Sequence, residues 1–212
     1  GDCAMIICHQ YKFIFLKTNK TAGTSVEVAL SKFCREGDVV THLSEDEEAL
    51  RTSSGGLASQ RYYAPLSLYH PVDWYNRIVH GERKLLYYNH IPAKKLKKRV
   101  DPGVWNSYYK FCVERNPWDR VISQYYWRCR KQPEDQRPSM DEFIESSDVR
   151  SLMRKGFQLY TIAGQSQANR LIRYENLAEE LEQVRHHLGL PEALALPRAK
   201  ASTSSKVTWL CG

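Results

Sequence analysis

A short apolar run, a loop rich in threonine and the start of a helix follow one another near the beginning of the chain. The apolar run, 13–16, is long enough for a buried strand, and the loop 17–25 separates it from the next segment. Helical spacing on one face then relates Val26, Ala29, Leu30 and Phe33. The sequence therefore predicts a strand–loop–helix unit, which favours an α/β fold over an all-helical or all-β one.

The loop carries groups that suit a phosphate. The first N–H groups of a helix lack intrahelical partners and lie at the positive end of the helix dipole. Gly23 lets the backbone approach an anion, and Lys17 and Lys20 add positive charge. Backbone or hydroxyl donors come from Thr21, Ala22, Thr24 and Ser25. We predict a phosphate-binding loop here, and the alternative is an ordinary capped helix with surface lysines.

A second strand–turn–helix unit follows about ninety residues later. The run 109–114 predicts a buried strand, with Arg115 at its carboxyl end. Asn116 suits the N-cap of the next helix and Pro117 its first position. Arginine at such a point can hold a phosphate through two hydrogen bonds, and the Ser123 hydroxyl can add a third. The alternative is that Arg115 pairs with a carboxylate and that Ser123 is a solvated helix residue.

The order of these groups resembles that of the sulfotransferases that use 3′-phosphoadenosine 5′-phosphosulfate (PAPS). The segment 20–25, Lys-Thr-Ala-Gly-Thr-Ser, is similar to their 5′-phosphosulfate loop, whereas a Walker P-loop places its lysine after the second glycine. The segment 115–123 is similar to their 3′-phosphate element, and 173–177, Arg-Tyr-Glu-Asn-Leu, to a third segment. The resemblance covers about 5–196. It is nearest to the carbohydrate-type branch, which is related to the heparan 2-O-sulfotransferases and includes small soluble bacterial members.

This resemblance implies an α/β fold of three layers, with a mainly parallel sheet flanked by helices in the P-loop-like sulfotransferase arrangement. It implies one domain over 1–212, of which 199–212 is a flexible polar tail. Family members usually continue with more helical sequence past the Leu-Pro segment that ends at Pro197. The shorter end here leaves the adenine contacts and part of the acceptor groove unpredicted.

The resemblance also assigns roles to individual residues. PAPS is the expected sulfuryl donor and 3′-phosphoadenosine 5′-phosphate (PAP) the product, with no metal required. Lys20 is expected to neutralise the leaving phosphate and the loop 21–25 to hold the 5′-phosphate. Arg115 and Ser123 are expected to hold the 3′-phosphate. His90, in Asn-His-Ile-Pro-Ala, is the predicted base for the acceptor hydroxyl. The weaker candidates for that base are His42, His70 and His80.

The charge and the cysteine content indicate what kind of ligand the protein binds and in which compartment it works. The net charge of +7 fits nucleic acid, an anionic membrane or an anionic ligand, but two of the three basic clusters coincide with the proposed nucleotide loops. This favours an anionic cofactor over nucleic acid, and the resemblance implies a small-molecule or glycan acceptor. The six cysteines lack zinc-site spacing and are expected to be reduced. With no apolar run of membrane length and no signal peptide, the sequence predicts a cytoplasmic protein without a membrane span.

Local signals predict several further elements. Opening strands are expected at 5–8 and 13–16, and a capping box starts an acidic helix at Ser44. The segment 52–60 is expected to be a mobile loop. The segment 61–81 is expected to be irregular, with aromatic residues that pack rather than bind sugar. Further predictions are a helix over 93–100, a turn at 101–103, a strand at 170–174 and a helix after Asn176.

Two other functional classes remain open at this stage. A P-loop kinase for a small molecule would require Mg²⁺ and a Walker-type lysine, and the lysine is missing. A non-catalytic module could bind anionic polymers through the basic surface, with an affinity that follows salt concentration. The sequence predicts neither the identity of the acceptor nor the oligomeric state.

Overall fold

The structure is a computed structural model that describes residues 5–18, 21–88 and 90–197. The strands are β1 (Ile6–Cys8), β2 (Phe13–Phe15), β3 (Val39–Val40), β4 (Tyr109–Glu114), β5 (Thr161–Ile162), β6 (Gln165–Ser166) and β7 (Arg170–Arg173). The helices are α1 (Gly23–Ser31), α2 (Glu45–Ser53), α3 (Pro71–His80), α4 (Ala93–Arg99), α5 (Pro102–Ser107), α6 (Pro117–Cys129), α7 (Met140–Ile144), α8 (Ser147–Gln158) and α9 (Leu177–Leu188). Short 3₁₀ turns lie at Leu66–Leu68, Glu134–Gln136 and Tyr174–Asn176. The predicted flexible tail lies outside the described residues.

A five-stranded mixed sheet forms the centre of the fold, in the order β3-β1-β2-β4-β7. β1 is antiparallel to both of its neighbours, whereas β2, β4 and β7 are parallel. Because β1 is antiparallel to both β2 and β3, these two strands run in the same direction. Four strands therefore share one direction, and the predicted mainly parallel sheet is confirmed apart from the hairpin strand β1.

The alternating side chains of the strands build two hydrophobic clusters, as expected for a sheet that is covered on both faces. One cluster contains Phe13, Phe15 and Phe111 and packs against α1 and α9. The other contains Ile14 and Cys112 and packs against α4 and α5. The sheet therefore lies between two layers of helices. A separate two-stranded hairpin pairs β5 with β6.

Two local predictions were wrong. The segment 61–81 contains α3, which begins at Pro71 with a capping box between His70 and Asp73. The predicted turn at 101–103 is the start of α5, capped by the Asp101 carboxylate. The segment 52–60, predicted to be a mobile loop, begins within α2, and its Leu57 N–H donates to the Ser31 carbonyl. Its last residue also pairs with β3, through a bridge between Gln60 and Val40.

The aromatic residues of 61–81 do not all pack, as the sequence suggested they would. Tyr62 and Tyr63 are half-buried, but Tyr75 on α3 is 60% exposed. α3 buries none of its residues and displays Val72, Ile78 and Val79 to solvent. None of the helices in the described part of the chain is long and apolar enough to cross a membrane.

Candidate active site

The three segments singled out in the sequence meet at one edge of the sheet. β2, β4 and β7 are adjacent and parallel, so their carboxyl ends lie side by side. The Thr18 hydroxyl after β2 donates to the carbonyl of Val113 in β4. The Asn116 N–H, after β4, donates to the Glu175 carboxylate, after β7, at 2.9 Å. These two contacts join the ends of the three strands into one surface.

The phosphate loop turns into α1 through a left-handed residue. Ala22 has φ 55° and ψ 20°, and as the N-cap it offers no side-chain acceptor to the first turn of the helix. The Thr21 hydroxyl is buried, 2.9 Å from that of Thr18, so Thr21 shapes the loop from within. Ser25 is also buried. An uncapped helix start after a left-handed residue is a common anion-binding arrangement. The predicted catalytic Lys20 lies outside the described residues.

Lys17, a predicted cofactor ligand, is held in a buried ion pair. Its Nζ lies 3.2 Å from Glu27 Oε2 and 2.9 Å from Thr24 Oγ1, and its side chain is 2% exposed. Glu27 also accepts a hydrogen bond from Arg51, which in turn pairs with Glu48. In this structure the Lys17 ammonium therefore donates to both the Thr24 hydroxyl and the Glu27 carboxylate, within a network of two cations and two carboxylates.

Gly23 makes room for that ion pair. A Cβ atom at position 23 would lie 2.6 Å from Lys17 Cγ and 2.7 Å from Lys17 Cε, closer than side chains can approach. The lysine side chain crosses the start of α1 where only hydrogen projects. The sequence suggested that this glycine opens the backbone to an anion, and the structure adds the passage of Lys17 as a second reason.

Arg115 is a half-buried cation that forms no salt bridge with a described residue. Its guanidinium lies 4.5 Å from the ring centre of Tyr174, and its Nε is buried with no hydrogen-bond partner in the part of the chain that the structure describes. The alternative in which Arg115 pairs with a carboxylate is not observed there. Glu175, the acidic residue that follows Tyr174, accepts the Asn116 N–H. Against the effect of burial, the Asn116 N–H and the charge of Arg115 lower the pKa of Glu175. Arg115 is therefore positioned to receive an anion.

Helix α6 carries the other predicted ligand for the same phosphate. Asn116 caps the helix by accepting the Trp118 N–H at 2.9 Å, and Pro117 takes the first position, as predicted. Ser123 is half-buried on the second turn. Ser123 follows Asn116 by seven positions, or about two helical turns, so both residues lie on the same side of α6. Ser123 therefore lies on the side of the helix that begins beside Arg115.

A buried ion pair supports the end of β4. Arg120 donates to the Glu114 carboxylate, and a Cβ at Gly156 would lie 2.9 Å from Arg120 Nη1. Burial raises the pKa of Glu114, and the charge of Arg120 opposes the rise. Burial, followed by the nearby Glu114 charge, raises the pKa of Tyr160 to about 12. Glu114, the nearest carboxylate in sequence to Arg115, is thus engaged by a structural partner.

His90 lies in a strained turn before α4. Its φ of 54° is in the left-handed region, which a residue with a Cβ adopts at a cost. The next residue, Ile91, is buried in the same hydrophobic cluster as Leu16, where the phosphate loop begins. α4 starts at Ala93, as predicted. The residue after His90 is therefore buried on the same face of the sheet as Leu16.

The other histidines proposed for the base have different surroundings. His42 Nδ1 lies 3.3 Å from Ser59 Oγ and 3.9 Å from the Glu48 carboxylate. His70 caps α3 and His80 lies in its last turn.

A cleft that sequence reasoning missed opens at the carboxyl end of β3. Its volume is ≈ 630 Å³. It is lined by Thr41, His42, Leu43, Ser44, Glu45, Tyr62, Tyr63, Leu85, Tyr87 and Tyr88. The available signal was the pair of Tyr-Tyr dipeptides at 62–63 and 87–88, which the fold brings to one place.

Two cysteines and an aspartate, distant in sequence, come together behind β1. The sulfurs of Cys8 and Cys34 and a carboxylate oxygen of Asp38 lie within 4.8 Å of one another, all buried. The Asp38 oxygens accept the N–H groups of His9 at 2.7 Å and Arg35 at 2.8 Å. The carboxylate therefore holds the turn after α1 together. Sequence spacing gave no sign of this grouping, because it joins a strand to a loop thirty residues later.

Comparison with known proteins identifies the family of the chain. The chain matches the model of the Sulfotransferase family over residues 4–208. A protein of Archaeoglobus fulgidus described as uncharacterized is 31% identical over 107 residues, which is 49% of this chain and 87% of the relative. No solved structure gives a significant match.

Proposed function

The chain belongs to the sulfotransferase family, and from that membership we propose that it transfers a sulfuryl group from PAPS to a carbohydrate hydroxyl and releases PAP. The proposal includes the relation to the carbohydrate-type branch of the family and the P-loop-like form of the nucleotide site.

The main support for the proposal is the environment of the Arg115 side chain. A guanidinium that is half-buried, stacked on Tyr174 and without a salt bridge to a described residue gains stability when an anion binds to it. It lies at the carboxyl end of a parallel strand, where ligands bind in open α/β sheets. A nucleotide 3′-phosphate supplies two negative charges and three acceptor oxygens, which suit this site better than a single carboxylate does.

The residues at this edge fit a donor with two phosphate groups. The N–H groups at the start of α1, with the loop 21–25, would hold the 5′-phosphate, and Arg115 with Ser123 would hold the 3′-phosphate. Lys17 belongs to the proposed loop through its bond to Thr24, which fixes the first turn of the helix. When bound, the donor supplies a sulfuryl group joined to a phosphate that is a good leaving group.

The chain's own residues would stabilise charge and move one proton. Lys20 and the positive end of α1 would stabilise the negative charge that develops on the phosphate oxygen as the sulfuryl group departs. The His90 imidazole would accept the proton of the attacking hydroxyl, a task that suits a group with a pKa near neutrality. Because lysine, arginine and backbone N–H groups supply the positive charge, the proposal requires no metal ion.

Transfer of labelled sulfate tests the proposal. The protein is incubated with ³⁵S-labelled PAPS and a panel of carbohydrate acceptors, once with EDTA and once with Mg²⁺, and sulfated product and PAP are quantified together. We expect equal amounts of the two products under both conditions. Transfer that stops in EDTA would contradict the metal-free site, and phosphate transfer from Mg²⁺-ATP to the same panel without sulfated product would instead favour a kinase.

A further inference from the structure

The cleft at the carboxyl end of β3 opens at the same edge of the sheet as the phosphate loop. β3 runs in the same direction as β2, β4 and β7, and the segment 41–44 follows β3 directly into the cleft wall. Tyr88, on the opposite wall, precedes the proposed base His90 by two residues. A molecule in this cleft would therefore lie near both His90 and the proposed donor site.

Aromatic surface dominates the wall of the cleft. The ring centres of Tyr62 and Tyr63 are 4.4 Å apart, and the imidazole of His42 stacks on Tyr62 with an angle of 20° between the planes. Burial raises the pKa of Tyr62 to about 12, so its hydroxyl stays neutral in the physiological range. Clefts of this size with aromatic walls and a few polar groups are typical of small-molecule sites.

The described residues that line the cleft include one carboxylate and no lysine or arginine, although the chain has a net charge of +7. The carboxylate is that of Glu45, on the rim of the cleft. Glu45 opens the first turn of α2, a turn that consists of four acidic residues. The two nearby arginines are placed on tyrosine rings: Arg83 lies 3.8 Å from the ring centre of Tyr63, and Arg99 5.3 Å from that of Tyr88.

We propose that this cleft binds the acceptor and that the acceptor is a sugar unit without carboxylate or sulfate groups. The inference rests on the proposed function, because it takes the neighbouring edge as the donor site. Tyrosine rings offer flat apolar faces to the C–H groups of a sugar ring, and their hydroxyls, with that of Ser44, offer neutral hydrogen bonds.

A polyanionic acceptor fits this cleft poorly. Uronate and sulfate groups would approach the acidic first turn of α2, and like charges in contact oppose binding. The arginines nearest to the described lining, Arg83 and Arg99, lie against the rings of Tyr63 and Tyr88. The exposed lysines at 94, 95, 97 and 98 on α4 offer such a polymer a separate surface, outside the cleft. Binding of heparin to the protein therefore does not identify the acceptor, and the site of binding must be tested.

The test measures glycan binding to PAP-saturated protein by NMR titration. The neutral probes are cellotriose, maltotriose and tri-N-acetylchitotriose, the anionic probe is a heparin-derived tetrasaccharide, and the phenolic probe is 2-naphthol. We expect at least one neutral probe to bind, and Tyr63→Ala to weaken it about tenfold, as for truncation of an aromatic anchor. Tyr88→Ala provides a second cleft variant in case Tyr63→Ala does not fold.

Tyr75→Ala is the matched control, because this tyrosine is exposed on α3 and lies outside the cleft lining. We expect it to leave neutral-glycan binding unchanged. If no neutral probe binds while PAP does, the acceptor inference is overturned and the proposed function stands. It is also overturned if the cleft variants abolish binding of the heparin fragment or of 2-naphthol. Failure of PAP itself to bind would instead contradict the proposed function.

Discussion

Substitution of Arg115 should distinguish the binding of the 3′-phosphate from the binding of the 5′-phosphate. Arg115→Ala removes a guanidinium that has no salt bridge to any described residue, so the fold loses mainly its contact with the Tyr174 ring. Its proposed partner is the 3′-phosphate alone. We therefore expect the variant to bind PAP more weakly, while it binds adenosine 5′-phosphate, which lacks the 3′-phosphate, about as well as the wild type does.

The expected size follows from the contacts that are lost. A hydrogen bond to a charged group contributes about 1.5–3 kcal/mol, which corresponds to a loss of about 10- to 150-fold in affinity for PAP. Arg115 is half-buried and its Nε is shielded from water, which favours the upper half of that range.

Calorimetry with both ligands on three proteins provides the measurement. Arg128→Ala is the matched control, because Arg128 lies on α6 and forms an exposed ion pair with Asp148. We expect the control to bind both ligands normally. Equal losses for PAP and adenosine 5′-phosphate in Arg115→Ala, or an equally large loss in Arg128→Ala, would refute the assignment of Arg115 to the 3′-phosphate.

Four further substitutions test the site and its support. His90→Ala should leave PAP affinity nearly intact and reduce sulfuryl transfer about 10²- to 10⁴-fold, and normal turnover would show that the base is another residue. Lys20→Ala should reduce both transfer and nucleotide affinity, because its charge acts in the ground state and in the transition state; calorimetry combined with turnover tests this. Gly23→Ala should destabilise the fold by about 1–3 kcal/mol in urea titrations, since the new Cβ displaces Lys17, and an unchanged midpoint would contradict that contact. Glu27→Gln should lower the free energy of unfolding by about 3–5 kcal/mol in the same assay, because Lys17 and Arg51 lose the carboxylate that they share. A loss below about 1 kcal/mol would show that these charges are solvated.

The elements that could be predicted from sequence are those with local signals. The strand 109–114 is a short apolar run bounded by a polar turn, and Asn116-Pro117 marks the start of the next helix within two residues. The capping box between Ser44 and Glu47 was equally local. α3 had a similar signal in Pro71, Asp73 and Gly81. It was missed because the aromatic and β-branched residues between them have low helix propensity.

The parts of the site that could not be predicted depend on contacts between distant residues. The partner of Lys17 is Glu27 on the following helix, and the Arg51 that completes the network comes from the next helix again. Arg115 was predicted as a cation at a strand end, but its stacking on Tyr174 depends on the pairing of β4 with β7. The tyrosine cleft likewise joins segments that only the fold brings together.

Thermal unfolding in the presence of PAP tests the central claim most directly, because it requires only the nucleotide and the wild-type protein. A ligand at 100 times its dissociation constant should stabilise the fold by about 2.7 kcal/mol. For a protein of this size the melting temperature should then rise by about 5–10 °C. We predict such a rise across a PAP titration, without added metal. A melting temperature that stays flat across the titration, with the protein shown to be folded, would contradict the account.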